Sequence, residues 1–481
     1  MHWIDLLIFI VYMILVLGVG FYFLRRNVTT DDYYVGGRKM SSFHVGLSVV
    51  ATDVGGGFSI GLGGLGFIMG LSGSWMLFTG LIGAWLSAVV LIPRVAKLTQ
   101  RFKLLTFPQI FEHLFSREVA ILAGVVSAIG YIGFTSSQLL AGAKLASATF
   151  ESLDLQTALI IMGVIAVLYT VMGGMKAVIY TDTIQWIILM AGLIGIGIPL
   201  GYHAIGGYEA IVATLPGEFL KFNNVSWQTI VNWAVTIIPI WFVGMTLYQR
   251  IYATKDAKTA QRAWYFAGLL EWPLMAFMGV LLGLFARVGF ENGMFTELGF
   301  APGSDIDAEM GLPLFLRSIL PVGLMGLMMS AYFSAIMSTA DSCLMAASGN
   351  LLTDILQKFF KISNDHKTIL RFSQILTLVI GIMALLLASA MENVLELMLY
   401  SYAFMVSGLF VPVLAGLFWK RTTSLAAFIS MLAGGGTTLF LTIANFRLPF
   451  DLDPNIFGIS IAAVMIIAIS FTWPKYERSY S

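Results

Sequence analysis

The chain has 481 residues, 58% of them apolar and only 11% charged, with a formal net charge of +1 and a mean hydropathy of +0.87. Such a composition excludes a soluble globular protein and describes an all-α polytopic membrane protein. The near-neutral balance gives nucleic acid nothing to bind.

A helix needs roughly 20 mostly apolar residues to cross a bilayer, and about 13 stretches meet that requirement. They begin near residues 4, 43, 73, 119, 157, 180, 229, 264, 318, 369, 393, 424 and 455. The first is long, has no small-residue cleavage site and ends in Phe23, Leu24, Arg25 and Arg26, so it is expected to be a retained helix. Connections are short throughout, which predicts one integral-membrane domain over 1–481. Its parts are a leading helix at about 4–25, five spans at about 43–202, five more at about 229–418 and two trailing helices at about 424–473. Five is odd, so the second set enters from the opposite face, as an inverted repeat requires.

Positive charge sets the orientation. With the N-terminus outside, the inward loops carry Arg25, Arg26, Arg38, Lys39, Arg94, Lys97, Arg101, Lys103, Arg117, Lys176, Arg250, Lys255, Lys258, Arg262, Lys358, Lys361, Lys367, Arg371, Lys420, Arg421, Lys475 and Arg478. Only Lys144, Lys221, Arg287, Arg317 and Arg447 of the 27 basic residues remain outside or at outer helix ends. Lys144 is expected to extend its ammonium outward. This orientation puts the C-terminus in the cytoplasm and the protein in a cell membrane, a bacterial inner membrane being expected. Cys343 stands alone in an apolar helix, so neither a disulfide framework nor a metal cluster is expected.

The second stretch breaks its own pattern. Residues 49–70 read VVATDVGGGFSIGLGGLGFIMG, with Asp53 inside the apolar run and eight glycines after it. Non-helical backbone at membrane depth is tolerated only where protein or a watery cavity covers it, and glycine lowers the cost of unwinding. Residues 51–57 are therefore expected to form a broken helix whose carbonyl oxygens face a hard cation, whereas Gly61 to Gly70 fit a small-residue packing face. Further along, Ala335, Ser338, Thr339 and Ser342 recur at helical spacing, so one helix face presents three hydroxyls. Asp341 lies beside that face. Phe58, Phe78, Phe134, Gln138, Trp241 and Tyr402 stand at depths that line a central cavity, with Gln138 the most suggestive because a buried amide needs partners. Asp53 would hold either an ammonium group of the solute or the ion itself. Glu271, in LLEWPL, has no evident role in the sequence beyond structural hydrogen bonding.

Several segments, in order, carry a resemblance: YYVGGR at 33–38 (two tyrosines, then VGGR), ATDVGGGF at 51–58, YTVMGGMKAVIYTDTIQ at 169–185, YQR at 248–250 and SAIMSTADS at 334–342. The chain resembles the sodium:solute symporter family, which includes proline, sialic acid, sugar and choline transporters. The resemblance implies a LeuT-type five-plus-five inverted repeat with one helix before it and two after. It also implies a Na+ site formed by the carbonyls of Ala51, Val54 and Ala335 with the hydroxyls of Ser338 and Thr339. Asp182 matches a family aspartate that helps hold a second sodium in some members. Asp182, Asp341 and Ser342 are accordingly a possible second ion site, the alternative being an inner gate in which an aspartate pairs Arg250. The expected function is secondary active transport, not enzymatic chemistry: sodium entry drives uptake of a small organic solute, whether amino acid, amine, sugar or carboxylate. A symporter-like sensor module and proton coupling are the alternatives. The implied partners are the solute, the sodium ion and the lipid bilayer, with no obligate protein partner evident.

Overall fold

A computed structural model describes residues 2–24, 30–53, 55–150, 153–173, 175–360 and 366–473. Val54 and the basic residues Arg25, Arg26, Lys361, Lys475 and Arg478 lie outside the described residues. Among the described residues the regular structure is helical: α1 (Trp3–Leu24), α2 (Ser42–Asp53), α3 (Gly55–Met69), α4 (Trp75–Val90), α5 (Arg117–Thr149), α6 (Leu155–Gly173), α7 (Met175–Gly192), α8 (Trp227–Val243), α9 (Met245–Ala253), α10 (Ala257–Leu269), α11 (Ala276–Glu291), α12 (Ala308–Ile319), α13 (Leu324–Gly349), α14 (His366–Ser389), α15 (Val394–Phe418), α16 (Ser424–Ile443) and α17 (Pro454–Thr472). Among the described residues, eight helical stretches are long and apolar enough to cross a membrane, and α8 with α9, bent by 42°, makes a further one.

Each expected stretch meets a helix, and two starts move for clear reasons. The stretch expected from 318 begins at Leu324, because Pro321 and Gly323, the latter at φ 89°, separate α12 from α13. The one expected from 264 begins at Ala257, where the Asp256 side chain accepts the Thr259 amide at 2.8 Å and caps α10.

Interruptions within helices fall where the sequence supplies glycine or proline. α2 ends at Asp53 and α3 restarts at Gly55, whose φ of +47° suits glycine. α8 gives way to α9 at Gly244. Between α10 and α11 the chain passes through Glu271, Trp272 and Pro273, with Trp272 extended at φ −136° and ψ 123°. Proline cannot donate to the preceding turn, so the helix opens there.

Beyond its first turn, α3 is a packing helix. A methyl group on Gly66 would lie 2.2 Å from the Val280 carbonyl oxygen, and one on Gly283 would lie 2.0 Å from that of Gly63. α3 and α11 therefore cross with their backbones in contact, as the glycine row predicts. α13 is the central post, buried along nearly its whole length and packed against α1, α5 and α7. At the other end of α2, the GGR corner holds Gly36, Gly37 and Arg38 at positive φ. Arg38 there donates to Asp31 at 2.7 Å and to the Leu104 carbonyl at 2.8 Å.

Candidate functional site

The break between α2 and α3 faces the hydroxyl row of α13. Thr339 Oγ1 lies 3.0 Å from the Ala51 carbonyl oxygen and 3.1 Å from that of Ala335. A methyl group on Gly55 would fall 2.7 Å from Thr339 Oγ1, so the close approach depends on glycine. Ser338, one residue earlier, donates instead to Asp182 Oδ1 on α7. Ala51, Gly55, Asp182 and Ala335 line one small pocket, closed on its far side by Gln185 and Trp186. Three of the five residues expected to hold sodium, Ala51, Ala335 and Thr339, thus meet here, Ser338 turns to Asp182 beside them, and Val54 lies outside the described residues. All the donors are oxygens, the ligand type a hard monovalent cation prefers.

The residues expected to form a second ion site lie on the neighbouring face. Asp182 accepts Ser48 Oγ at 2.5 Å as well as Ser338, and its other partner is Arg250 at 3.3 Å. Arg250 is fully buried on α9. Its guanidinium donates to the Ser48 carbonyl at 3.1 Å, the Thr246 carbonyl at 3.1 Å, Thr52 Oγ1 and Ser342 Oγ at 3.1 Å. One side chain therefore ties α2, α7, α9 and α13 together, and Asp182 and Ser342 share a cation that belongs to the protein. Asp341 is also fully buried, with neither carboxylate oxygen hydrogen-bonded.

Deeper along the break, Glu271 is the acidic neighbour of Asp53. Glu271 is fully buried, neither of its oxygens has a donor partner, and Gly80 on α4 leaves it room: a methyl group there would lie 2.1 Å from Oε2. Around the pair stand several residues expected to line a cavity. Phe78 meets Trp272 edge-on at 5.1 Å, and Tyr402 meets Phe134 at 5.0 Å. Gln138 packs against Gly57 with its Oε1 unpartnered. Phe58 is buried on α3. Trp241 is drawn elsewhere, into the seam between Gly83 and Trp264, where its ring lies 6.3 Å from that of Trp264.

Sequence reasoning left Glu271 without a role, although a carboxylate within an apolar run is the signal that singled out Asp53. It also misjudged Lys144. The ammonium does not extend outward but is buried between Asp307 at 2.5 Å and Glu309 at 2.6 Å, because α12 folds back over the helix ends. Glu309 accepts the amides of Val394 and Leu395, both at 2.9 Å, fixing the start of α15 as well.

Comparison with known proteins identifies the family and the fold. The model of the sodium:solute symporter family matches residues 33–434. The high-affinity proline transporter of Bacillus subtilis is 28% identical over 466 residues, covering 94% of this chain and 95% of that one. The sodium/glucose cotransporter of Vibrio parahaemolyticus is 27% identical, covering 98% and 91%. A solved Na+-coupled sialic acid symporter, in a substrate-bound outward-open state, superposes with a TM-score of 0.80 over 99% of both chains at 22% identity, which establishes the LeuT-type fold. The chain belongs to the sodium:solute symporter family: it is a multi-pass membrane transporter that moves a small solute with sodium, and not an enzyme.

Proposed function

We propose that this member of the sodium:solute symporter family takes up a small organic solute by alternating access, with the driving ion held where α2 breaks against α13. The observation that carries the reading is the meeting of the Ala51 and Ala335 carbonyls on the Thr339 hydroxyl, at 3.0 and 3.1 Å, beside a turn that suits glycine. Ala51, Ala335, Ser338 and Thr339 would hold sodium, with Val54 the fifth member by family resemblance. The ion would bridge the end of α2 and the hydroxyl face of α13, and its departure would separate them. With the cytoplasm negative, each sodium entering releases about 2.3 kcal/mol per 100 mV, enough to sustain a useful solute gradient.

Arg250 supports a second element of the cycle. Its guanidinium ties α2 to α7 and α13 through Asp182 and Ser342, and we take it to be the inner lock of this conformation. Asp182, Asp341 and Ser342 would then accept a second cation only after Arg250 withdraws. The architecture we propose has a leading helix at about 4–25, inverted repeats at about 43–202 and 229–418, and trailing helices at about 424–473. The N-terminus would face outward and the C-terminus the cytoplasm, in a bacterial inner membrane.

Reconstitution tests the ion assignment. Replacing Ser338 and Thr339 together by alanine should raise the sodium concentration needed for half-maximal uptake into vesicles, since two oxygen ligands are lost. An unchanged sodium dependence would remove both residues from the ion path.

A further inference from the structure

We propose that Arg94, Lys97, Arg101 and Arg421 form a seat for the phosphodiester headgroup of an anionic phospholipid. The inference concerns the bilayer around the protein and goes beyond the transport reading above.

Helix Ile92–Phe102 follows α4 with only Leu91 between them. Ile92, Val95, Ala96 and Thr99 recur at helical spacing and are buried. Arg94, Lys97 and Arg101, at i, i+3 and i+7, lie on the opposite side and are exposed. The protein itself takes up the apolar side, so the helix does not dip into lipid and its basic row is turned outward. Val89, near the end of α4, is an apolar side chain 60% exposed, which leaves acyl chains to cover it directly beside that row. In the orientation proposed above, the row faces the cytoplasmic leaflet.

Two of the cations are held by aromatic rings. The Arg94 guanidinium carbon lies 3.9 Å from the centre of the Phe418 ring, and Nη1 donates to the Leu417 carbonyl at 2.9 Å. That carbonyl belongs to the last turn of α15, where the helix supplies no donor. Arg421, just past the same turn, lies over Phe471 of α17 at 5.4 Å, and Phe471 meets Trp419 at 5.8 Å. Phe418, Trp419 and Phe471 thus join the two guanidiniums in one corner. Stacking fixes the plane of a guanidinium. Arg94 spends one of its N–H donors on Leu417 and keeps others for phosphate oxygens, which a guanidinium can hold in pairs. Topology alone asks for positive charge on this side; it does not ask for guanidiniums stacked on exposed rings.

Nothing nearby neutralises this charge. The chain has no Asp or Glu from 54 to 111, from 397 to 450 or from 454 to 476. Among the described residues, none of the ion pairs includes Arg94, Lys97, Arg101 or Arg421. An anionic phospholipid answers every feature together. Its phosphate meets the guanidinium fork, its net charge meets the uncompensated field, and its acyl chains cover Val89 and Phe471, the latter 62% exposed. Free phosphate would leave the apolar surfaces bare, and a zwitterionic lipid brings no net charge. Each basic residue at such a surface contributes roughly fivefold to affinity.

The test uses the purified full chain in a neutral detergent and three probes: dioleoylphosphatidylglycerol, dioleoylphosphatidylcholine and inorganic phosphate. Native mass spectrometry across a lipid titration reads the affinity of the first lipid bound. Phosphatidylglycerol should bind at least about tenfold more tightly than phosphatidylcholine, and inorganic phosphate at about 10 mM should leave it in place. Arg94→Gln combined with Arg421→Gln should weaken phosphatidylglycerol about 30-fold, and Arg421→Gln alone, which leaves the contacts of Arg94 intact, about fivefold. Unchanged affinity for phosphatidylcholine is the folding control, and the single variant carries the test if the double variant does not fold. Lys221→Gln combined with Arg447→Gln removes equal charge from exposed positions outside the seat and should change the affinity less than about twofold. The proposal is overturned if the two lipids bind alike, if inorganic phosphate displaces phosphatidylglycerol, if the arginine variants bind it like the wild type, or if the Lys221 and Arg447 pair costs as much as the arginine pair.

Discussion

Replacing Gly55 by alanine is expected to weaken sodium binding by roughly 10- to 300-fold. The added methyl group would lie 2.7 Å from Thr339 Oγ1 and 3.3 Å from its Cγ2, so Thr339 has to turn away from the Ala51 carbonyl. Loss of that hydrogen bond costs about 0.5–1.5 kcal/mol. Holding an alanine at φ +47° adds about 1–2 kcal/mol of backbone strain. Together the two terms span the factor given above, provided the ion requires both the turn and the hydroxyl. Thermal stability of the purified protein, titrated with sodium, reads the effect without knowledge of the solute. Gly163→Ala is the control, because its methyl group meets the flexible end of Leu385 at 3.1 Å on a different pair of helices. That variant should lose some stability and keep the wild-type sodium midpoint. A Gly55→Ala protein that folds and titrates like the wild type would refute the reasoning.

Arg250→Gln leaves Asp182 buried without its cation, a change that costs about 3–5 kcal/mol and should open the inner lock. Cys343 is the chain's one cysteine and is fully buried, so its labelling by a membrane-permeant maleimide should accelerate in the variant; unchanged protection in folded protein would separate Arg250 from gating. In the connection before α17, burial pushes the Asp453 carboxyl up from 3.8 to about 6. Its folded form binds the proton more tightly than the unfolded form, so the stability it contributes is full below about pH 4 and lost as pH rises through about 6. Asp453→Asn should accordingly raise Tm at about pH 8 and leave it unchanged at about pH 4, and a pH-independent effect would contradict the assignment.

Much of this architecture is legible in the sequence because the bilayer imposes a simple rule on span length and glycine marks where that rule is suspended. Asp53 followed by three glycines announces a break, and the later glycines announce a close-packed face, which α11 meets in the fold. The hydroxyl row of α13 is readable from helical spacing alone. What escapes is whatever depends on a partner distant in sequence. Glu271 acquires meaning only when Asp53 is beside it. Lys144 reads as a residue that reaches for water until α12 brings Asp307 and Glu309 over it. Trp241 has the depth of a cavity residue, yet Gly83 offers its ring a closer seat on α4. Periodicity reports which way a side chain points along its own helix, and nothing in it reports which neighbouring helix will be there.

Equilibrium binding of radioactive sodium to the purified chain tests the central claim most directly, since it requires neither a solute nor a membrane gradient. The wild type should bind sodium saturably, and Ser338→Ala combined with Thr339→Ala should reduce that binding by at least tenfold, the equivalent of about 1.4 kcal/mol. Saturable binding of undiminished affinity in the double variant would contradict an ion site between the break in α2 and the hydroxyls of α13.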